Sequence, residues 1–415
     1  MKWNNVGHEF DAFYEKHKGF LKKDIYLFGA GKKGNKYADI LTKYNIDITA
    51  IIDNNQDKQN KYVENGDKKI QIISFDDYMN RKSDNSYIVI SVGDKFLKSI
   101  ISQLEQSGLV EHKDFLKADN SFEKILRVVL MYEKNVLSLP LAQISLTERC
   151  TLRCKKCAHA CNLVPKNRSD MTLEEAKKSA DYFFKFVDYI QEFVLIGGEP
   201  FLYKNLKDII EYTAKYRHKM NIFSITTNGT IIPDDDVLEV CNKYDVLITI
   251  SNYSVTLPRL KIAYTRLINK LNDFGIKYIL YNSDGYWMDY GFDYLNRKAS
   301  PLQLEKVFDD CFTPCHEIRG SRFYFCVMAR SVSENMGKNI GSEDYFDLAK
   351  IENNRGGGGK IAFFEYTMGY SKKGYLDMCN YCYGTEAKER IIPVAEQMNF
   401  KENKNVQNIC TGSDL

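Results

Sequence analysis

Residues 141–157 read LAQISLTERCTLRCKKC, a short strand-like run that leads straight into Cys150, Cys154 and Cys157. Four further strand-like runs follow, EFVLIG (192–197), NIFSITTNG (221–229), DVLITIS (245–251) and KYILYNS (277–283), separated by stretches of helical periodicity. The first of those helices, TLEEAKKSADYFFKFVDYI (172–190), opens with Thr172-x-x-Glu175, in which each side chain can satisfy the other residue's backbone N–H. Strict alternation of strand and helix predicts a parallel sheet or barrel, because parallel neighbours need a crossover between them. Chemistry on such a sheet gathers at the carboxyl ends of its strands, so the loops that follow these runs are the place to look.

Toward the amino terminus, DIYLF (24–28) runs into Gly29-Ala-Gly31-Lys-Lys-Gly34, then the helical NKYADILTKY, then ITAIID ending at Asp53. Glycines there permit a tight turn and close backbone approach, the helix start favours a phosphate, and the acid can meet a ribose hydroxyl. YIVISV (87–92) and the helical KFLKSIISQLEQSG (95–108) extend the unit to a small doubly wound, Rossmann-like sheet, assigned to residues 1–125. Two readings stand. Gly29, Gly31, Gly34 and Asp53 hold a nucleotide, or the glycines only pack a strand against a helix.

The 415 residues exceed one ordinary core, and 44% hydrophobic content fills several. Basic and acidic residues nearly cancel, 58 against 55, and the lysines are dispersed, which argues against nucleic acid or an anionic membrane as partner. No apolar run approaches the ~20 residues of a membrane span. The opening MKWNNVGHEFDAFYEKH lacks the apolar core of a signal peptide, so a cytoplasmic location is expected. Eleven cysteines in such a chain point to metal ligation or chemistry rather than to disulfides.

Three thiolates at x3 and x2 spacing on one loop can converge on a cubane iron–sulfur cluster and leave one iron for a small-molecule ligand. The strand EFVLIG ends in Gly197-Gly198-Glu199-Pro200, and the next strand in Thr226-Thr227-Asn228-Gly229. With these motifs in this order at successive strand ends, the region 140–290 resembles the radical S-adenosylmethionine (radical SAM) superfamily. The resemblance implies a partial (β/α)6 TIM-type barrel over 126–300, a [4Fe–4S] cluster on Cys150, Cys154 and Cys157, and S-adenosylmethionine on the open iron. It also implies that Gly197, Gly198 and Glu199 hold the methionyl amino group, with Asn228 and Ser251 as candidates for the ribose. Reductive cleavage of the cofactor would give a 5′-deoxyadenosyl radical that abstracts hydrogen from a substrate. Lys156 stands where many members carry an aromatic residue, which leaves adenine contacts there unassigned. Cys161 is expected off the cluster, since a fourth thiolate would close the open iron. His159 is expected to be packed or hydrogen bonded rather than to move protons.

A second constellation, Cys311-x3-Cys315, Cys326 and Cys379-x2-Cys382, falls in 301–395. It resembles the twitch and SPASM auxiliary-cluster modules, which implies one auxiliary [4Fe–4S] cluster on Cys326, Cys379, Cys382 and either Cys311 or Cys315. Four such thiolates also suit zinc. Cys241 reads as a buried small hydrophobe, Gly356–Gly359 as a loop, and 396–415, with Cys410, as a loosely held tail. The expected substrate is sugar-derived, the attached nucleotide-binding-like domain pointing to a sugar or a nucleotide-activated sugar, with net oxidation favoured and a flavodoxin- or ferredoxin-type reductant as partner. Peptide modification is the alternative. A non-catalytic iron–sulfur sensor is the alternative of another class, and the intact Gly-Gly-Glu loop counts against it.

Overall fold

DIYLF forms β1 (Asp24–Phe28), in a six-stranded sheet with β2 (Ile48–Ile52), β3 (Tyr62–Asn65), β4 (Lys68–Ile73), β5 (Ser86–Ile90) and β6 (Phe115–Lys117). The strand order is β3-β4-β2-β1-β5-β6, parallel throughout except between β3 and β4. Helices α1 (Asp11–His17), α2 (Lys32–Lys43), α3 (Phe75–Arg81), α4 (Asp94–Gln106) and α5 (Asn120–Lys134) complete this unit, Phe10–Asn135. All of β5 and four of the five residues of β1 are buried, so both sheet faces are covered there. That is why these strands read as continuous apolar runs rather than alternating ones. In this computed structural model the described residues are 1–398 apart from 67, 165–169, 283, 292–295, 312–314, 339–340, 342–343 and 354–357.

The second unit takes Met1–Glu9 and the chain from Val136. Its main sheet contains the five strands expected from sequence, side by side and parallel: β7 (Ser138–Ser145), β8 (Tyr189–Ile196), β9 (Met220–Thr227), β10 (Val246–Asn252) and β11 (Tyr278–Asn282). After the short β12 (Tyr286–Met288), a sixth parallel strand, β13 (His316–Arg319), joins beside β7 rather than beyond β11. β14 (Arg322–Tyr324) and β15 (Tyr345–Asp347) extend that edge antiparallel, and β16 (Ile391–Pro393) pairs with β12. The helices are α6 (Leu173–Phe186), α7 (Leu206–Thr213), α8 (Asp235–Lys243), α9 (Leu260–Asp273), α10 (Pro301–Asp309), α11 (Val327–Asn335) and α12 (Gly358–Thr367). Among the described residues no helix is long and apolar enough to cross a membrane.

Local signals carried through with instructive exceptions. Thr172 and Glu175 make the reciprocal cap of α6, but the helix ends at Phe186. Tyr189 and Ile190, which continue its helical pattern, pair instead with Ser138 and Leu139, because a parallel neighbour offers them a full set of hydrogen bonds. Residues 1–9, assigned from sequence to the amino-terminal domain, belong to the second unit. There Glu365 of α12, fully buried, accepts from Trp3 Nε1, Gly7 N–H and Glu9 N–H at 2.8, 2.8 and 2.9 Å. The glycine run expected as a loop starts α12 at Gly358, while 356 and 357 lie outside the described residues. Cys241 on α8 is buried, as its apolar neighbours suggest.

The five parallel strands have two unlike faces. Ala142, Ile144, Phe193, Leu195, Phe223, Ile225, Ile248 and Ile250 form one, all fully buried and apolar, with α6 against β7 and α8 against β10. By alternation and register the other carries Gln143, Ser145, Glu192, Val194, Ser224, Thr226, Thr249 and Ser251. Glu317 joins it beside Gln143. Such polarity on one face of an otherwise buried parallel sheet marks where a polar ligand would lie.

Candidate metal and cofactor site

β7 and β8 end next to each other, and the loops that follow them are laced together. Gly198 N–H donates to Thr147 O at 2.7 Å and Glu199 N–H to Arg149 O at 2.8 Å, which prolongs the strand pairing into the cysteine loop. A Cβ on Gly197 would stand 2.4 Å from Thr147 O; one on Gly198 would stand 2.4 Å from Arg149 O and 2.9 Å from Cys150 Cβ. Both glycines are therefore required by the backbone that presents Cys150, before any ligand is considered. Asp170 braces the base of the loop, accepting from Thr147 Oγ1 at 2.6 Å and Arg149 Nε at 2.8 Å.

Glu199 ties in a third loop. Its carboxylate is fully buried and accepts from Thr227 Oγ1 at 2.8 Å, Asn228 N–H at 2.9 Å and Phe201 N–H at 3.2 Å. Burial pushes its pKa up to about 7 against the pull of these donors. The side chain is thus committed to protein donors and braces the TTNG loop. Asn228, also buried, directs Nδ2 toward Cys150 Sγ at 3.4 Å and Thr151 Oγ1 at 3.1 Å. Ser251 lies one strand further on, at the end of β10, with its carbonyl accepting from Tyr264 at 3.1 Å. Lys156 holds φ at 54°, and its ammonium is bound by Gly291 O at 2.9 Å and Asp289 at 3.3 Å.

The three sulfurs are ringed by hydrogen-bond donors. Cys150 Sγ faces Leu152 N–H at 3.4 Å besides Asn228, and Cys154 Sγ faces Gln397 Nε2 at 3.2 Å. Burial pushes the Cys150 and Cys154 thiols up to about 11 and about 12. Cys157 is held below the ordinary thiol range, because the Cys161 thiol and the N–H groups of Cys161, His159 and Ala160 turn toward its sulfur. Donors around sulfur favour the thiolate, and buried thiols that need a cation to ionise suit a metal group that takes them as thiolates. Cys161 therefore sits as a neighbour that hydrogen bonds to Cys157.

A buried charge cluster behind this loop left no signal in the sequence. Arg330 of α11, without solvent exposure, pairs with Glu148 at 2.7 Å and Glu317 at 2.8 Å. Arg319 adds contacts to Glu148 at 3.4 Å and Glu334 at 3.2 Å. His159 lies against it, Nδ1 3.1 Å from Ser145 Oγ and 3.5 Å from Arg330 Nη2, Nε2 3.4 Å from Gln143 Nε2. Burial, with the Arg330 charge, lowers its pKa to about 3, so the imidazole is neutral and hydrogen bonded.

In the carboxyl-terminal region Cys311, Cys326, Cys379 and Cys382 line one pocket, walled by Tyr290, Phe308, Phe325, Met328, Leu376 and Met378. Cys315 is not part of that lining, but it packs on the same core that walls the pocket, and its carbonyl accepts Val327 N–H at 3.0 Å. Burial pushes Cys326 and Cys379 well above the ordinary thiol range and Cys382 up to about 11. Four thiols gathered in an apolar pocket again suit a metal group. Among the described residues no three His, Cys, Asp or Glu side chains stand at the spacing of a single metal ion. Ligands to separate irons of a cluster stand farther apart than ligands to one ion. Residues 396–398, expected as a loose tail, are paired with the cysteine loop: Lys155 N–H donates to Glu396 O at 2.7 Å and Met398 N–H to Arg153 O at 2.9 Å. Cys410 lies outside the described residues.

In the unit Phe10–Asn135 the glycines divide. A Cβ on Gly34 would stand 1.8 Å from Gly29 O, and Gly29 has φ 119° with Val92 2.6 Å from its Cβ position, whereas Gly31 meets nothing within 4 Å. Asp53 reaches this loop, but its carboxylate accepts from Ala30 N–H at 2.8 Å, Asn55 N–H at 2.9 Å and Lys58 Nζ at 3.1 Å. Packing explains Gly29 and Gly34 and leaves Gly31 unexplained. Gly34→Ala is expected to destabilise by about 3 kcal/mol in denaturant unfolding, and Gly31→Val by no more than about 0.5 kcal/mol. Calorimetry with nucleoside diphosphates then separates the two readings of the loop. A bound pyrophosphate predicts at least tenfold weaker binding to folded Gly31→Val; equal affinity, or no binding to the wild type, leaves the loop a packing role.

Residues 144–281 match the family described as the Radical SAM superfamily. GTP 3′,8-cyclase of Aquifex aeolicus is 33% identical over 108 residues, 25% of this chain and 32% of that protein. The antilisterial bacteriocin subtilosin biosynthesis protein AlbA of Bacillus subtilis is 31% identical over 138 residues, 33% of this chain and 29% of that protein. The chain thus spans about a third of the length of these curated relatives. Among solved structures, BtrN in complex with AdoMet and 2-DOIA is similar over 63% of this chain and 97% of that one, with TM-score 0.37 and 14% identity. Streptococcus suis SuiB bound to S-adenosylmethionine is similar over 44% and 43%, with TM-score 0.27 and 21% identity. The family match falls on the strands that carry the cysteine and Gly-Gly-Glu loops, and this chain therefore contains a radical SAM domain.

Proposed function

We propose that this chain is an enzyme that holds a [4Fe–4S] cluster on Cys150, Cys154 and Cys157, binds S-adenosylmethionine beside it, and abstracts hydrogen from a sugar-derived small molecule. The observation that carries this is the lacing of Gly198 and Glu199 onto Thr147 and Arg149, which sets Gly197 against Thr147 and Gly198 against Cys150, the first cysteine of the motif. The chemistry supplied when both groups are bound is reductive cleavage of S-adenosylmethionine to methionine and a hydrogen-abstracting 5′-deoxyadenosyl radical. Gly197 and Gly198 present backbone to the methionyl group, Asn228 and Ser251 serve the ribose, and Glu199 steadies the loops around them. β7–β11 act as a partial barrel, and the unit Phe10–Asn135, with its central order β4-β2-β1-β5-β6, as a Rossmann-like domain.

Cys311, Cys326, Cys379 and Cys382 hold the auxiliary cluster. With four protein thiolates no iron is left for substrate, which favours a role as electron acceptor and hence net oxidation. The polar sheet face, with Gln143, Ser145, Thr226 and Thr249, supports a hydroxyl-rich substrate, and the likeness to AlbA favours a peptide as second reading. Anaerobically reconstituted protein with a low-potential reductant is expected to form 5′-deoxyadenosine, and to carry deuterium into it from a deuterated sugar or sugar nucleotide. Deuterium from a peptide instead would overturn the sugar reading, and a cluster-loaded protein that makes no 5′-deoxyadenosine would overturn the enzyme reading. Cys379→Ala and Cys382→Ala should keep 5′-deoxyadenosine formation and lose product, with iron analysis confirming that only the auxiliary cluster is gone.

A further inference from the structure

The side-chain amide of Gln397 lies against Cys154. Its Nε2 is 3.2 Å from Cys154 Sγ and 2.7 Å from Ala395 O, and its Oε1 accepts Arg153 N–H at 2.8 Å. These partners fix which way the amide points. Arg153 N–H can only donate and Ala395 O can only accept, so the N–H side must face the sulfur. The segment is itself anchored, through backbone pairing of Glu396 and Met398 with Lys155 and Arg153 and a 2.9 Å ion pair between Lys155 and Glu396. Gln397 stands nearer its sulfur than Asn228 does, which is 3.4 Å from Cys150 Sγ.

Resting on the proposed function, and going beyond it, we propose that Gln397 is a positioning residue that acts through Cys154 to raise the reduction potential of the cluster held there. In the step concerned, one electron passes from a low-potential flavodoxin- or ferredoxin-type donor, which is oxidised by one electron, and no covalent bond forms or breaks. The added negative charge spreads onto the ligating sulfurs, and an N–H aimed at one of them stabilises the reduced form more than the oxidised one. Cys154 is buried, so little water competes for that sulfur.

The test uses the full chain with Gln397→Glu and Gln397→Met, reconstituted and followed by potentiometry with electron paramagnetic resonance. Gln397→Glu keeps an acceptor for Arg153 N–H and removes the N–H from sulfur; Gln397→Met removes both. The cluster concerned is identified by the change in its reduced signal when S-adenosylmethionine is added. A wild type without such a signal would sink the proposed function itself and is measured first. At the wild-type midpoint the reduced-to-oxidised ratio is expected to fall about tenfold in the variants, equivalent to 59 mV for one electron, with iron content and auxiliary signal unchanged. An unchanged midpoint in a fully loaded variant would overturn the proposal. Loss of this cluster in both variants would overturn it too, making Gln397 part of the fold of the loop rather than a determinant of potential.

Discussion

Replacing Cys150, Cys154 and Cys157 together by alanine is expected to remove about four irons per chain and to abolish 5′-deoxyadenosine formation. The effect is total because three thiolates on one loop share one cluster. Cys161 is near enough to hydrogen bond to Cys157, yet Cys161→Ala should lose almost no iron, since its contact is with the ligand. Irons held by Cys311, Cys326, Cys379 and Cys382 should remain, because those side chains line a separate pocket. Iron and sulfide analysis alongside chromatography of the cleavage products measures both halves. Cleavage at the wild-type rate in the triple variant would remove the basis for the proposed function.

Arg330→Met is expected to destabilise the protein by about 3–5 kcal/mol. Glu148 and Glu317 are buried with Arg330, so removing the cation leaves Glu317 without its ion-pair partner and Glu148 with only the longer contact to Arg319 at 3.4 Å. Chemical denaturation with two spectroscopic probes gives the size of the loss. Combining Arg330→Met with Glu148→Gln and Glu317→Gln should restore most of the stability, because the penalty lies in uncompensated charge rather than in lost attraction. A loss below about 1 kcal/mol in the single variant would contradict this account. Glu148 precedes Cys150 by two residues, so weaker loading of iron on the cysteine loop is expected to accompany the loss.

Those two predictions draw on different kinds of information. Cys150, Cys154, Cys157, Gly197 and Gly198 were legible because their spacing is local and each falls at a strand end. The glycines have a further role that spacing does not express, which is to let the backbone of one loop close on Thr147 and Arg149 of another. Arg330 offered no such clue: it sits on a helix 182 positions from Glu148, and a lone arginine in a sequence reads as a surface charge. Asp53 joins the two kinds of information: its position after the second strand is read from the sequence, and only the fold shows that its carboxylate accepts from Ala30, Asn55 and Lys58.

By itself the sequence determined the alternating strands β7–β11, the reciprocal cap at Thr172 and Glu175, the cysteine loop and its superfamily. Each of these depends on residues within a few positions of one another, where periodicity and hydrogen-bond reach are set by the backbone. Only the tertiary structure decided that Cys311, Cys326, Cys379 and Cys382 come together around one pocket, that β13 lies beside β7, that Met1–Glu9 belong with α12, and that Gln397 meets Cys154. Those choices rest on the approach of groups far apart along the chain. Their outcome is settled by which arrangement buries apolar surface while pairing most of the polar groups it covers, a condition on the whole fold that no local spacing records.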